Sequence, residues 1–302
     1  MTAPDRTPSA TPVRGREPSG LREPPRPDEP GLDGLDDREL ELLLGAIYHI
    51  YHHDFRSYAG ASLRRRIGAA LIHFKCQAIA QLHERVVREP VVFAELLRFL
   101  TVQVSDMFRD PTYFRALRDH VVPYLQTYAA LKVWVAGCAT GEEAYSLAIL
   151  LHEAGLLDRT QLYATDIHPE SLRAAHDGIY ATERVARWSD NYRMAGGRAS
   201  LSDYYSAAYG GAVFDRRLRK AIAFADHSLA TDSAFGEMQL VSCRNVLIYF
   251  ERPLQDRAIG VLRESLCHRG FLGLGLKETL RFTAAAPAFT ELVPDARIYQ
   301  KL

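Results

Sequence analysis

Apolar positions in the first third of the chain recur at three- and four-residue steps. Leu40, Leu43, Leu44, Ile47, Ile50 and Tyr51 form one stripe, and Leu63, Ile67, Leu71 and Phe74 a second. Ile79, Leu82, Val86 and Val87 form a third, and Phe93, Leu96, Leu97 and Leu100 a fourth. This period is helical and predicts an all-α domain of about four helices over 38–108. Val102 and Val104 then alternate with Gln103 and Ser105, which predicts a short extended piece, and Asp110-Pro111 marks a helix start within a linker over 109–128.

Beyond residue 129 the pattern changes to short apolar runs. Strands are predicted at 133–136, 161–166, 220–225, 238–243 and 271–276, alternating with helices that begin at Glu142 or span 169–175 and 257–267. Such alternation makes 129–302 an α/β domain with a mostly parallel sheet covered on both faces. The rhythm fails over 178–219, where Trp188, Tyr204-Tyr205 and the pairs Gly196-Gly197 and Gly210-Gly211 predict an inserted excursion outside the sheet.

Composition adds bounds. Residues 1–37 hold eight of the 15 prolines and almost no large apolar residue, which predicts a disordered tail. The 37 basic and 37 acidic side chains balance, so the chain has no general pull on nucleic acid or acidic membranes. No signal-peptide core and no membrane-length apolar run is found, and Cys76, Cys138, Cys243 and Cys267 form no disulfide or zinc pattern. A cytoplasmic setting is expected.

The most informative stretch is 132–146, KVWVAGCATGEEAYS, a strand, a small-residue turn and a helix. Gly137, Ala139 and Gly141 let a ligand approach the backbone and leave helix N-terminal amides facing it. Glu142 and Glu143 occupy the position a phosphate would need, and no Gly-Lys-Ser/Thr follows, so a cationic nucleoside is favoured. S-adenosylmethionine, with a sulfonium and an ammonium and no phosphate, fits. The alternative is that both carboxylates only complement the helix dipole. Asp166 ends the second strand, where an acid accepts hydrogen bonds from ribose hydroxyls, and Arg244, Asn245 and Tyr249 follow the strand at 238–243. All should face one crevice beyond the carboxyl ends of the strands.

Three other features have weaker chemistry. Arg109, in the linker, is shaped to hold a carboxylate bidentately, or it pairs with a neighbouring Asp. Arg64, Arg65 and Arg66 lie beside the second helical stripe and are either a solvated face or a docking surface for an acidic partner. His49, His52 and His53 lack a ligand set and are expected to pack at a helix end, with no metal.

Together the segments SDMFRDPTYF (105–114), WVAGCATGEEAYSLAILL (134–151), YATDIHPESLRAAHDGIY (163–180) and CRNVLIYF (243–250) resemble the CheR-type chemotaxis receptor methyltransferases. The resemblance covers nearly all of 40–302. It implies a helical N-terminal domain, a Rossmann-like S-adenosylmethionine-dependent domain and a small antiparallel β subdomain inserted at 178–219. It also implies methylation of glutamate side chains on a chemoreceptor's helical bundle, with S-adenosylhomocysteine as product and the arginine-bearing helix facing that bundle.

By the same resemblance, cofactor contacts fall on Gln103, Ser105, Arg109, Glu143 or Glu142, Asp166, Ser228, Leu229, Arg244 and Asn245, beside the turn at Gly137. Arg109 and Tyr249 would flank the transferred methyl. Gln103, Ser105, Met107, Ser228 and Lys277 depart from the family's usual residues, and Lys277 is expected to place a charge near the pocket mouth. The competing readings are a non-catalytic S-adenosylmethionine-sensing or docking module, a small-molecule methyltransferase and, from the fold alone, a nicotinamide dehydrogenase. Intact Arg109 and Tyr249 weigh against the first, the basic helical domain against the second, and Glu142-Glu143 against the third.

Overall fold

The computed structural model describes residues 35–302, so all but the last three residues of the proline-rich stretch lie outside it. Four helices open the described chain: α1 (Asp37–Tyr51), α2 (Gly60–Phe74), α3 (Ile79–Arg88) and α4 (Pro90–Leu100). Asp36 caps α1 by accepting from the Arg38 amide at 2.8 Å, and His52, with φ of 61°, ends it. The four stripes meet in one core around Leu43, Ile47, Ile67, Leu82 and Leu96. Two stripe members leave it: Ile50 and Val87 are each 44% exposed, at the margins of their helices. Tyr51 and His53 instead pack on Phe93, the tyrosine ring stacked 3.9 Å away, and close the bundle end; His49 and His52, expected to pack there too, are exposed.

Residues 101–110 are irregular. The expected extended piece at 102–104 forms no strand, because no neighbouring strand pairs with it. Helices α5 (Pro111–Ala116) and α6 (Val122–Leu125) follow, joined by a π turn at Leu117–Val121. Met107 and Phe108 are buried in the core of the α/β region rather than in that of the helical bundle.

The α/β region then runs β1 (Leu131–Ala136), α7 (Glu142–Glu153), β2 (Thr160–Asp166) and α8 (Pro169–Asp177). The inserted part is β3 (Ile179–Ala181), α9 (Thr182–Met194), β4 (Tyr205–Ala208) and β5 (Gly211–Phe214). The chain returns with α10 (Arg216–Ala221), β6 (Ile222–Asp226), β7 (Met238–Cys243), α11 (Arg252–Glu264), β8 (Leu266–Leu274), β9 (Phe289–Val293) and β10 (Ile298–Lys301).

The main sheet has seven strands in the order β6-β2-β1-β7-β8-β10-β9. The first five are parallel, and β10 pairs antiparallel with both β8 and β9. Alternate side chains of β1 go to opposite faces: Val133 and Val135 join the core with α5 and α7, while Trp134 and Ala136 join the core with α11. Each face is thus covered by helices, as a buried parallel sheet requires. The insertion forms its own three-stranded antiparallel sheet, β3-β5-β4.

Several boundaries differ from the expectation for local reasons. Helix α11 starts at Arg252, five residues early, because Pro253 is tolerated in a first turn. Strand β8 also starts five residues early and continues through Arg269, whose φ of 60° accompanies a register shift against β7. Lys220 and Ala221 end α10 instead of opening β6. The excursion over 178–219 holds a 13-residue helix, α9, whose Val185, Trp188 and Tyr192 are buried at helical spacing. That helix matters for the linker: Arg184 Nη2 donates to the Ser105 carbonyl, Trp188 Nε1 to Asp106 at 2.8 Å and Asn191 to the Met107 carbonyl.

Candidate active site

The turn after β1 is built from backbone that only small residues fit. Gly137 has φ of 74°, and a Cβ there would lie 2.4 Å from Val246 Cγ2. At Gly141, φ of 95°, a Cβ would meet Ala175 Cβ at 2.8 Å. Even Ala139 is left-handed, with φ of 48°. The Gly137 and Cys138 amides donate to the Thr165 carbonyl at 2.8 and 2.9 Å, which folds the turn over the end of β2.

Asp166 secures it further. One carboxylate oxygen accepts from the Ala139 amide at 2.8 Å and the other from the His168 amide at 3.0 Å. Burial raises its pKa, and these amides pull it back toward ionisation. Asp166 therefore shapes the Gly turn as well as lining the cleft beside it.

Turns after β1, β2, β6 and β7 meet the linker and the start of α2 around one cleft of about 920 Å³, open mouth included. Ligands of open α/β sheets bind at this end. Of the residues predicted from sequence, Gln103, Ser105, Arg109, Gly137, Glu143, Asp166, Ser228, Leu229, Arg244, Asn245 and Tyr249 all line it. Arg66 does so too, with its guanidinium 4.8 Å from the Tyr249 ring centroid and donating to the Leu100 carbonyl at 2.7 Å. Tyr58, Ile167, His227 and Val246 complete the wall and were not picked out by sequence. Tyr58 stacks edge-on to Phe250, which seats the helical bundle on this end of the sheet.

Glu142 and Glu143 part company. Glu142 is fully buried, accepts from Thr140 and is paired with Arg184 at 2.7 Å, and it does not line the cleft. Glu143 does line it, yet its oxygens are taken by Ser242 at 2.7 Å and Arg244 at 2.9 Å. Arg244, with its side chain wholly buried, also donates to Asp110 and to the Arg109 carbonyl and lies over the Tyr113 ring. The two acids do not stand open at the helix entrance, so the charge argument for a cationic guest is weaker than the bare sequence suggested.

The remaining polar groups are disposed differently. Gln103 takes a hydrogen bond from Ser171. Ser228 accepts from the Ala230 amide at 3.3 Å. Among the described residues no carboxylate pairs with the Arg109 side chain, whereas its carbonyl is held. Burial pushes the Tyr249 hydroxyl up, which keeps it a proton donor at neutral pH. Cys138 and Cys243 are buried with their thiols pushed far up, so neither is a nucleophile.

Lys277 is exposed and does not line the cleft; the charge expected at the mouth points elsewhere. Its neighbour Glu278 is buried and receives four backbone amides. Arg64 pairs with Asp37 on the outside of α2, and Arg65 is exposed beside it.

These residues fit S-adenosylmethionine. Asp166 presents a preorganised carboxylate, Leu229 and Ile167 supply apolar wall, and the Gly turn leaves no side chain in the way.

Residues 38–101 match the model of the CheR methyltransferase all-alpha domain, and 103–291 that of the CheR methyltransferase SAM-binding domain. A methyltransferase named Cher3 from Pseudomonas putida is 56% identical over 88% of this chain and 97% of its own length. A chemotaxis protein methyltransferase from Listeria monocytogenes is 29% identical over 75% of this chain and 84% of its own. Among solved structures, the N-methyltransferase NodS from Bradyrhizobium japonicum, bound to S-adenosylhomocysteine, is 16% identical with a TM-score of 0.35, covering 65% of this chain and 87% of that one. With both domain models matched in order along a chain that folds into a helical bundle and an α/β sheet around one cleft, this chain belongs to the CheR methyltransferase family.

Proposed function

We propose that this chain transfers a methyl group from S-adenosylmethionine to glutamate side-chain carboxylates on the cytoplasmic helical bundle of a chemoreceptor. The observation that carries the reading is the Arg109 side chain, which pairs with no carboxylate among the described residues, lining the same cleft as Tyr249 and Asp166. When bound, the cofactor supplies an electrophilic methyl on a sulfonium that leaves as a thioether. An acceptor carboxylate, with a reference pKa of about 4.3, is already ionised at pH 7, so the protein need supply no general base.

What remains for the side chains is placement. Arg109 holds the acceptor carboxylate from the linker side, and Tyr249 donates a hydrogen bond from the opposite wall. Asp166 accepts from the ribose, Leu229 covers the adenine, and Gln103, Ser105, Ser228 and Asn245 supply the remaining polar contacts. Arg244 and Glu143 neutralise one another and fix the floor. The bond formed is carboxylate oxygen to methyl, and the bond broken is methyl to sulfur, with no proton moved. Arg65, exposed, and Arg64 beside it meet acidic groups of the receptor, while Arg66, engaged at Tyr249, belongs to the cleft. The working division is a docking domain over 38–108, a linker over 109–128 and the transferase domain over 129–302.

Incubation with methyl-tritiated S-adenosylmethionine and cytoplasmic chemoreceptor fragments tests this. Base-labile label released as methanol is expected, falling about 100-fold in Arg109→Ala. Cofactor binding with no base-labile label on any receptor fragment would contradict it.

A further inference from the structure

The loop Asn245–Tyr249 carries three residues of the cleft, Asn245, Val246 and Tyr249, yet it has no glycine. Its shape is set from elsewhere. Glu278, 33 residues away from Asn245 and only 4% exposed, points its carboxylate into the loop. One oxygen accepts from the Asn245 amide at 2.9 Å and the Gly275 amide at 2.6 Å. The other accepts from Val246 at 2.9 Å and Ile248 at 3.3 Å. A carboxylate so surrounded holds its donors more firmly than a neutral acceptor would.

Gly275 lets the carboxylate in, since a Cβ there would fall 2.7 Å from Glu278 Oε2 and 2.9 Å from the Asn245 amide. Asn245 is bent into the left-handed region with φ of 61°, which turns its amide toward Glu278 and its side chain to the cleft. The same loop presses Val246 against the Gly137 turn. Tyr249 follows directly in a 3₁₀ turn, and its carbonyl is held by the Ala59 amide at 2.8 Å. Glu278 itself does not line the cleft.

We propose that Glu278 is a positioning residue for methyl transfer, holding the Asn245–Tyr249 loop against the Gly137 turn so that Tyr249 stands ready before either substrate binds. The inference rests on the methyltransferase reading. It predicts that Glu278→Gln, which replaces one accepting oxygen by an N–H donor facing backbone donors, weakens S-adenosylhomocysteine binding less than threefold. Turnover on a receptor fragment should fall at least tenfold. In a Tyr249→Phe background the same change should cost less than threefold, because the group being positioned is already gone. Equal losses in both backgrounds, or a loss of cofactor affinity as large as the loss of turnover, would overturn the proposal in favour of a general structural role.

Amide hydrogen exchange on the wild-type protein needs neither an acceptor nor a folded variant. The Asn245, Val246 and Ile248 amides should be protected in the absence of cofactor and gain less than threefold on adding S-adenosylhomocysteine. Rapid exchange that slows only with cofactor would show a loop ordered by the ligand and would refute the proposal. If no receptor fragment is labelled, this arm still decides the role of Glu278, and only the choice of acceptor fails.

Discussion

Two neighbouring turns, in contact through Val246 and Gly137, line the cleft, and they are made in opposite ways. The turn over 137–143 is shaped by its own residues: two glycines and an alanine with positive φ, closed by Asp166 from the adjacent strand. The loop over 245–249 is shaped by a carboxylate from beyond β8, which supplies acceptors that the loop cannot supply itself. A local turn announces itself in sequence through its small residues. A turn held from a distance leaves only an isolated acid, here Glu278.

Arg244 bridges the two, so its removal should do most harm to both. Arg244→Ala would leave Glu143 and Asp110 without their buried cation and should cost about 3–5 kcal/mol of stability, read by urea unfolding. A loss under about 1 kcal/mol would mean that the two turns are independently stable.

The Gly turn alone is tested by Gly137→Ala, which places a methyl against Val246 at a left-handed φ. It should cost about 2–3 kcal/mol and abolish cofactor binding. A smaller cost with binding intact would mean that the loop over 245–249 yields despite its hold by Glu278.

A subtler effect concerns pH. His168, next to the Asp166 turn, accepts from the Ser171 amide through Nδ1 at 3.2 Å and so caps α8 only when that nitrogen is unprotonated. Burial lowers its pKa below the usual value near 6.5. Its contribution is therefore full above that value and is lost as pH falls through the folded pKa. His168→Asn, which can still cap, should flatten the fall in stability between pH 7 and 5. An unchanged slope would locate the acid sensitivity elsewhere.

The smallest effect is expected at Arg64. Its exposed pair with Asp37 is worth at most about 1 kcal/mol, so Arg64→Ala should leave the melting temperature almost unmoved. Weaker, salt-sensitive use of a receptor fragment is expected in its place.

Much of this was legible without coordinates. The four helical stripes, the β1 turn and Asp166 are local patterns, and they carry the fold class and half of the cleft. Helix α9 is less legible because two glycine pairs follow it and break the strand–helix rhythm, although Val185, Trp188 and Tyr192 keep helical spacing. The antiparallel strands β9 and β10 are short and follow no alternation with helices. Glu142 and Glu143 were indistinguishable as neighbours, since their fates depend on Arg184 and Arg244, each about forty to a hundred residues away. Arg66 reads in sequence as one of three equivalent arginines; the Tyr249 ring beneath its guanidinium sets it apart. For the two glutamates and Arg66 the missing information is a long-range partner.

The most direct test of the cleft is calorimetric titration with S-adenosylhomocysteine of the wild-type protein and of Asp166→Asn, each checked for an intact melting transition. One-to-one binding that weakens about 100-fold in the variant is predicted, the loss expected when charge-assisted bonds to a ribose become neutral ones. Equal affinity in both proteins would place the cofactor away from Asp166, and the account of this cleft would be wrong.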